Sequence, residues 1–303
     1  MSQIISLEVV VDGTRIDRFL SENCVDISRS QIQKLILAGN VTVDGDVTTS
    51  SSKVRVGQKL VVEIPDPSPS DLVPEDIPID IVHEDSDLLV VNKAAGMIVH
   101  PAPGHRSQTL ANAVLSHCPD LRGIGNKIRP GIVHRLDKNT SGLIVVAKNH
   151  IAHTRLSSQF KNRQFKKSYL AMVHGRVLPL EATINGPIGR DSRNRKRMSI
   201  VEGGRDSTTE YKVLKNYGKY TLLNVSPVTG RTHQIRVHMA SVGYPLVGDE
   251  LYGKAHKELA RQFLHAQTIN FIHPSTKQVV GFSSELPQDL REFVDYARSE
   301  QKL

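Results

Sequence analysis

Tryptophan is absent from the 303 residues and aromatic side chains make up only 5% of them. The core must therefore be built from aliphatic residues. Apolar runs are short: Leu143 to Ala147 is among the longest, far below the roughly twenty residues of a membrane-spanning helix, so no membrane partner is expected. Met1 to Val11 lacks the basic start and unbroken apolar stretch of a secretory leader, and a cytoplasmic protein is expected. The two cysteines, Cys24 and Cys118, have none of the close spacing that a metal site or redox pair requires. Thirteen histidines are present, and His233, His238, His265 and His273 lie near acids. No compact ligand motif such as H-E-x-x-H accompanies them, so no metal is expected.

What is present is an ordinary globular composition, 39% hydrophobic and 23% charged, which argues against disorder. The length suits a large domain with a small appendage. Net charge is +8, and its distribution is informative. Residues 1–65 are near charge balance, residues 66–80 carry acids and no base, and the remainder is strongly basic. Two runs concentrate it: Lys161, Arg163, Lys166 and Lys167, then Arg190, Arg193, Arg195, Lys196 and Arg197. A basic surface of this kind fits a polyanion; the bland alternative is a solvated face.

Turn and cap residues divide the chain. An amphipathic stretch at Arg15 to Leu20 precedes a helix predicted over Ser30 to Ala38, with Ser28 as N-cap and Gly39-Asn40 as stop. Val41 to Val43 and Asp46 to Thr48 flank an Asp44-Gly45 hairpin turn, and Val54 to Ile64 is predicted as a strand pair turned at Gly57. Five prolines between Pro65 and Pro78 exclude helix and central strand, giving a linker over 66–78 between units 1–65 and 79–303. In the larger unit, strands are predicted at Leu88 to Asn92, Met97 to His100, Ile132 to Val133, Leu143 to Ala147, Lys167 to Val173, Thr221 to Val225 and Leu264 to Ile272. Helices are predicted at Thr109 to Ser116, His153 to Phe160, His233 to Ser241 and Gln288 to Arg298. Strands follow one another too closely for regular βαβ crossovers, so the fold class is α+β with a mixed, mostly antiparallel sheet.

The first segment, with Arg15, Arg18, Arg29 and Lys34 on or near its helices, resembles the S4 RNA-binding domain. The resemblance implies an α/β unit that contacts RNA through Arg15, Arg29 and Lys34.

The most informative stretch runs from Gly131 through His134-Arg135-Leu136-Asp137-Lys138-Asn139-Thr140-Ser141-Gly142 to Ala147. Apolar strands on both sides fix a loop that gathers cations, a histidine and one carboxylate, as functional loops on rigid scaffolds do. If the chain is extended there, Arg135 and Asp137 share a face. Spacing alone equally allows Asp137 to cap the following turn with Arg135 as its ion-pair partner.

The run resembles the signature loop of the RluA-type pseudouridine synthases. Asn92-Lys93 to Pro101, Lys167-Ser168-Tyr169, Thr229-Gly230-Arg231 to His238, Tyr244 to Asp249 and Leu264-His265-Ala266 follow in family order; at Ala94 the family usually has proline. The resemblance implies isomerisation of uridine to pseudouridine in RNA, in the subgroup that acts on large-subunit (23S) ribosomal RNA. It makes Asp137 the catalytic carboxylate, Tyr169 the ring that stacks on the target uracil and assists proton removal, and Arg231 the partner that keeps Asp137 ionised. It makes Arg135 the support of the flipped nucleotide, with Lys167 as a further RNA contact. The reaction breaks an N-glycosidic bond and rejoins the uracil through carbon, so no cofactor is implied. Whether Asp137 attacks the sugar, attacks the base or removes a ribose proton stays open. A monomer is expected.

Thr232 is predicted to N-cap the helix His233 to Ser241, with Ile235, Met239 and Val242 as its buried stripe and Gly243 as its stop.

Overall fold

The computed structural model describes residues 3–24, 27, 29–64, 72–102, 105–121, 123–126 and 129–301. The chain forms two compact units, Met1–Asp71 and Leu72–Leu303.

The first unit comprises β1 (Gln3–Glu8), α1 (Ile16–Asn23), α2 (Arg29–Leu37), β2 (Val41–Val43), β3 (Asp46–Val47) and β4 (Lys59–Ile64), with an antiparallel sheet ordered β1-β4-β2-β3. The predicted helix ends as expected: Gly39 adopts φ +78°, its N–H bonds Ile36, and Asn40 N–H bonds the Leu35 carbonyl, a Schellman stop. Asp44 and Gly45 both take positive φ, the requirement of a tight hairpin whose twist matches its strands. The expected pair within Val54 to Ile64 is corrected. Only β4 forms there, and its partners are β2 and the unforeseen β1. The predicted cap Ser28 lies outside the described residues.

Asp17 on α1 is fully buried and accepts from Arg15 Nε (3.1 Å), Arg29 Nη2 (2.9 Å) and Gln33 Nε2 (2.6 Å). Burial would raise its pKa, but these donors outweigh it and hold the carboxyl at about 2. The arrangement ties α1 to α2. Arg15 and Arg29 keep about half of their side-chain surface exposed, and Lys34 is exposed on α2.

In the second unit, residues 72–78 form neither helix nor strand, yet they pack on it. Leu72 is buried in its core, and Asn112 Nδ2 donates to the Val73 carbonyl at 2.8 Å. The predicted linker residues 66–71 lie outside the described residues. The elements that follow are β5 (Asp80–Glu84), β6 (Leu88–Lys93), α3 (Leu110–His117), the short hairpin β7 (Gly125–Asn126) and β8 (Arg129–Pro130), and β9 (Ser141–Ala147). Then come α4 (His150–Lys161), β10 (Lys166–His174), β11 (Glu181–Asn185), the hairpin β12 (Ile188–Arg190) and β13 (Met198–Ile200), and β14 (Thr208–Asn216). The unit closes with β15 (Tyr220–Pro227), α5 (Gln234–Ser241), β16 (Leu264–Ile272), β17 (Val279–Ser283) and α6 (Gln288–Glu300).

One sheet runs β11-β14-β15-β10-β16-β9-β6-β5, with β17 also on β16. Every pairing in it is antiparallel except β9 with β16. The α+β class with a mostly antiparallel mixed sheet is thus observed. The central strands are buried on both faces. Leu89, Val91, Ile144 and Val146 pack with α3 on one side, and Leu88, Val90, Leu143 and Val145 pack with α4 on the other, which explains why β9 reads as an unbroken apolar run. The strand predicted at Met97 to His100 is reduced to one bridge, Ile98 with Thr109. Lys93 is the reason: its buried Nζ donates to the carbonyls of Ala94 (2.7 Å), Met97 (2.9 Å) and Lys138 (3.1 Å), which curls the chain.

The parallel contact constrains Gly142. It has φ +114°, and a Cβ there would lie 2.6 Å from Ala266 N and against the Ala266 carbonyl oxygen. Gly142→Ala is expected to destabilise the protein by about 2 to 3 kcal/mol, combining overpacking with backbone strain; chemical denaturation would measure it.

Candidate active site

The loop between Ile132 and Ser141 forms no ladder beyond the Ile132–Val146 bridge, but its side chains alternate. His134 and Leu136 are buried, Arg135 is exposed and Asp137 is partly exposed, so Arg135 and Asp137 share the outward face as expected. The turn is held by the Asp137 backbone carbonyl, which accepts from Thr140 N–H at 3.1 Å, leaving the carboxylate free for other work. Asp137, Arg135, Tyr169, Lys167 and Arg231 all line one cavity of about 240 Å³.

His134 anchors the loop from below. Its Nε2 accepts from Val145 N–H (2.9 Å), and its ring stacks on Phe160 at 5.6 Å between centroids. Burial, with Lys167 adding to it, pushes its pKa down to about 3, so the ring is neutral in the fold. His265, bonded to Ser141 and Ser284, is pushed down to about 4 mainly by burial. Both groups bind protons more readily in the unfolded chain. Stability is therefore complete above about pH 6.5 and declines as pH falls from there towards 4, by up to about 1.4 kcal/mol per unit for each group. Melting temperatures across this window would check it, with His134→Gln flattening the slope.

Tyr169 sits on β10 beside a bulge in the pairing with β16, a feature that re-aims side chains near sites. It is buried, 7% exposed. Burial and then the charge of Asp137 raise its phenol above the ordinary value. That opposes phenolate formation and leaves the flat ring as its asset. Lys167 lies 4.6 Å above the Phe160 ring, and burial presses it down to about 8.

The aspartate's partner is corrected. Arg231 Nε and Nη2 donate to the Asp206 carbonyl at 3.3 Å. Asp137 Oδ2 is instead met by Arg236 Nη1 at 3.2 Å, with His233 Nε2 at 3.9 Å. The physical reason is where α5 begins. Its cap is His233, in a left-handed conformation (φ 56°), not Thr232. Gln234 Oε1 accepts from Arg231 N–H and from Thr229 Oγ1, which keeps Arg231 outside the helix. Arg236 lies inside α5, whose residues Gln234 to Met239 are all buried. Ile235 and Met239 lie in the buried stripe as predicted, but Val242 is 42% exposed.

Arg236 is itself oriented by Asp249, fully buried, through Nε to Oδ2 (2.7 Å) and Nη2 to Oδ1 (2.9 Å). This bidentate fork fixes the guanidinium plane. Tyr252 completes the setting: its hydroxyl accepts from Met198 N–H (2.8 Å) and lies 2.8 Å from His233 Nδ1. Arg236 and Tyr252 were not singled out from sequence; His233 was weighed there only as a metal ligand, and Asp249 only as the end of a family motif. The available signal was a buried helix face carrying an arginine, which demands acidic partners.

Two groups with ion-like spacing among the described residues, Glu84–His117–Cys118 and Asp85–Asp87–His273, are not among the residues lining this cavity. In the first, Lys148 already bonds Glu84 at 2.7 Å.

This geometry is joined by similarity to known proteins. The RNA pseudouridylate synthase family model matches residues 87–241 and the S4 domain model residues 14–60. An uncharacterized RNA pseudouridine synthase of Chloroflexus aurantiacus is 52% identical over 279 residues, 91% of this chain and 88% of its own length. This chain belongs to the RNA pseudouridylate synthase family. Within that family, ribosomal large subunit pseudouridine synthase D of Zymomonas mobilis is 42% identical over 293 residues, covering 92% of each chain. The solved structure of human RNA pseudouridylate synthase domain containing 1 superposes with a TM-score of 0.58 at 28% identity, covering 74% of this chain and 96% of its own. The pseudouridine synthase described here thus carries its enzyme domain and an S4 RNA-binding domain in one chain. Among the described residues no helix is long and apolar enough to cross a membrane.

Proposed function

We propose that this pseudouridine synthase isomerises uridines of large-subunit ribosomal RNA in the cytoplasm, with Asp137 as the catalytic carboxylate. The observation that carries the reading is the Asp137 carboxylate, 19% exposed, held by Arg236 in a cavity that Tyr169 also lines. A target base is extruded from its stack into the cavity. There it stacks on Tyr169, an interaction worth roughly 1 to 3 kcal/mol. Arg236 pairs with the carboxylate at 3.2 Å as the base excludes water, and the start of α5 adds positive potential at the same place. Arg135, exposed beside Asp137, supports the flipped strand. The uracil leaves the ribose through nitrogen and returns through carbon, so oxidation state and mass are conserved and no cofactor takes part. The relatives named for large-subunit RNA, the S4 unit and the basic charge of the second unit support the substrate class.

The test is a map of pseudouridines in RNA from cells with and without the gene, by carbodiimide labelling and reverse-transcription stops. At least one large-subunit site is expected to vanish. An unchanged map in every RNA class rejects the reading.

A further inference from the structure

A second cleft, of about 300 Å³, adjoins the active-site cavity and shares Phe160, Lys167 and the Thr229–Arg231 turn with it. Four cations converge on it: Lys161 and Arg163 from the end of α4, Lys167 from β10, and Arg231 from the turn before α5. Among the described residues, none of the four has an ion-pair partner, whereas the buried guanidiniums of Arg236 and Arg261 are both matched by carboxylates. Lys167 is the more confined of them: partly buried, it lies over the Phe160 ring, and its ammonium is pressed down by burial, while Lys161 and Arg163 are exposed.

Arg163 adds a second observation. It closes α4 at φ 59°, a left-handed position where glycine is the cheaper residue. Cations at a helix C-terminus complement its dipole, which accounts for Lys161 and Arg163. It does not account for Lys167 or Arg231, which lie on other elements. A compact anion with several oxygen acceptors satisfies all four, and guanidiniums match its geometry. In a nucleic-acid substrate that anion is a phosphodiester.

We propose that this cleft is a subsite for a backbone phosphate of the RNA strand, adjacent to the nucleotide held beside Asp137; the assignment rests on the RNA-modifying reading above. Arg231 thereby serves the backbone and not the carboxylate. The subsite fixes the strand on one side of the flipped nucleotide, so it acts on substrate binding and not on the chemical step.

The test uses the full chain and a transcript of large-subunit ribosomal RNA. The double variant Lys161→Ala/Arg163→Ala is expected to bind roughly 3- to 10-fold more weakly near physiological salt, and the slope of log K against log salt should become shallower by about 1 to 2. KM rises by the same factor while kcat stays within about two-fold. Val228 lines the same cleft, and Val228→Asp, which sets a carboxylate among the cations, should weaken binding likewise without lowering the melting temperature, because the added charge is opposite to its neighbours'. Wild-type affinity and salt slope in both variants overturn the proposal, and so does a binding loss that appears only with a lowered melting temperature. If the wild-type protein forms no pseudouridine yet the variants weaken binding as stated, the catalytic reading falls and the phosphate subsite stands.

Discussion

Asp137→Asn is expected to reduce pseudouridine formation by at least about a thousand-fold, in the range seen when a catalytic nucleophile or base is removed, while leaving the fold and RNA affinity close to wild type. The substitution preserves shape, removes the charge and turns one acceptor oxygen into an amide donor. Arg236 would lose one acceptor but keep both bonds to Asp249 (2.7 and 2.9 Å), so the guanidinium stays in place and no buried cation is stranded. Modification would be read by carbodiimide-dependent stops on the same transcript, and stability by thermal unfolding. Residual activity within ten-fold of wild type would remove Asp137 from its catalytic role and favour a protein that works by binding RNA alone.

Arg236→Ala is expected to cost about 3 to 5 kcal/mol of stability, because it leaves the fully buried Asp249 charge without its partner. For a unit of this size that is a fall in melting temperature on the order of 10 °C. Among the described residues, Asp249 would keep only the backbone donors Leu251 and Tyr252. Activity should fall as well, since Asp137 loses the cation at 3.2 Å. The double variant Arg236→Met/Asp249→Asn separates the effects: the amide oxygen still accepts from Leu251 and Tyr252 N–H, so the variant should recover most of the stability and none of the activity. A single variant as stable as wild type would mean that the fork contributes nothing to the fold.

The parts of the site legible in sequence are those that lie together along the chain. The loop around Asp137 and the strand bearing Tyr169 are local patterns, and both residues reach the same cavity. Arg231 and Arg236 lie in one motif, and choosing between them depended on a single turn of helix. The expected cap at Thr232 placed Arg231 at the threshold of the site. In the folded chain the Gln234 side chain binds the Arg231 and Thr229 donors and turns Arg231 away, while Arg236 sits on the buried face. Periodicity carries no information about a side-chain bond of this kind.

The same limit applies to the fold. β4 was visible, but its partner β1 lies some fifty residues earlier, and pairing across such distances leaves no local mark. The strand expected after Gly96 has suitable residues, yet it yields to three carbonyl bonds from one lysine. Those bonds also suit a charged ammonium, with three protons for three acceptors, against the burial and the Arg261 charge that press Lys93 down to about 7.

The buried carboxylate of Asp17 has a consequence for the small unit. A free arginine surrenders up to roughly 2 kcal/mol of rotational freedom when it is immobilised on a ligand. Arg15 and Arg29 are already tethered to Asp17 through Nε and Nη2, with about half of each side chain exposed. Any polyanion arriving at this surface meets guanidinium planes whose ordering cost was met during folding, so a domain with almost no net charge can still grip.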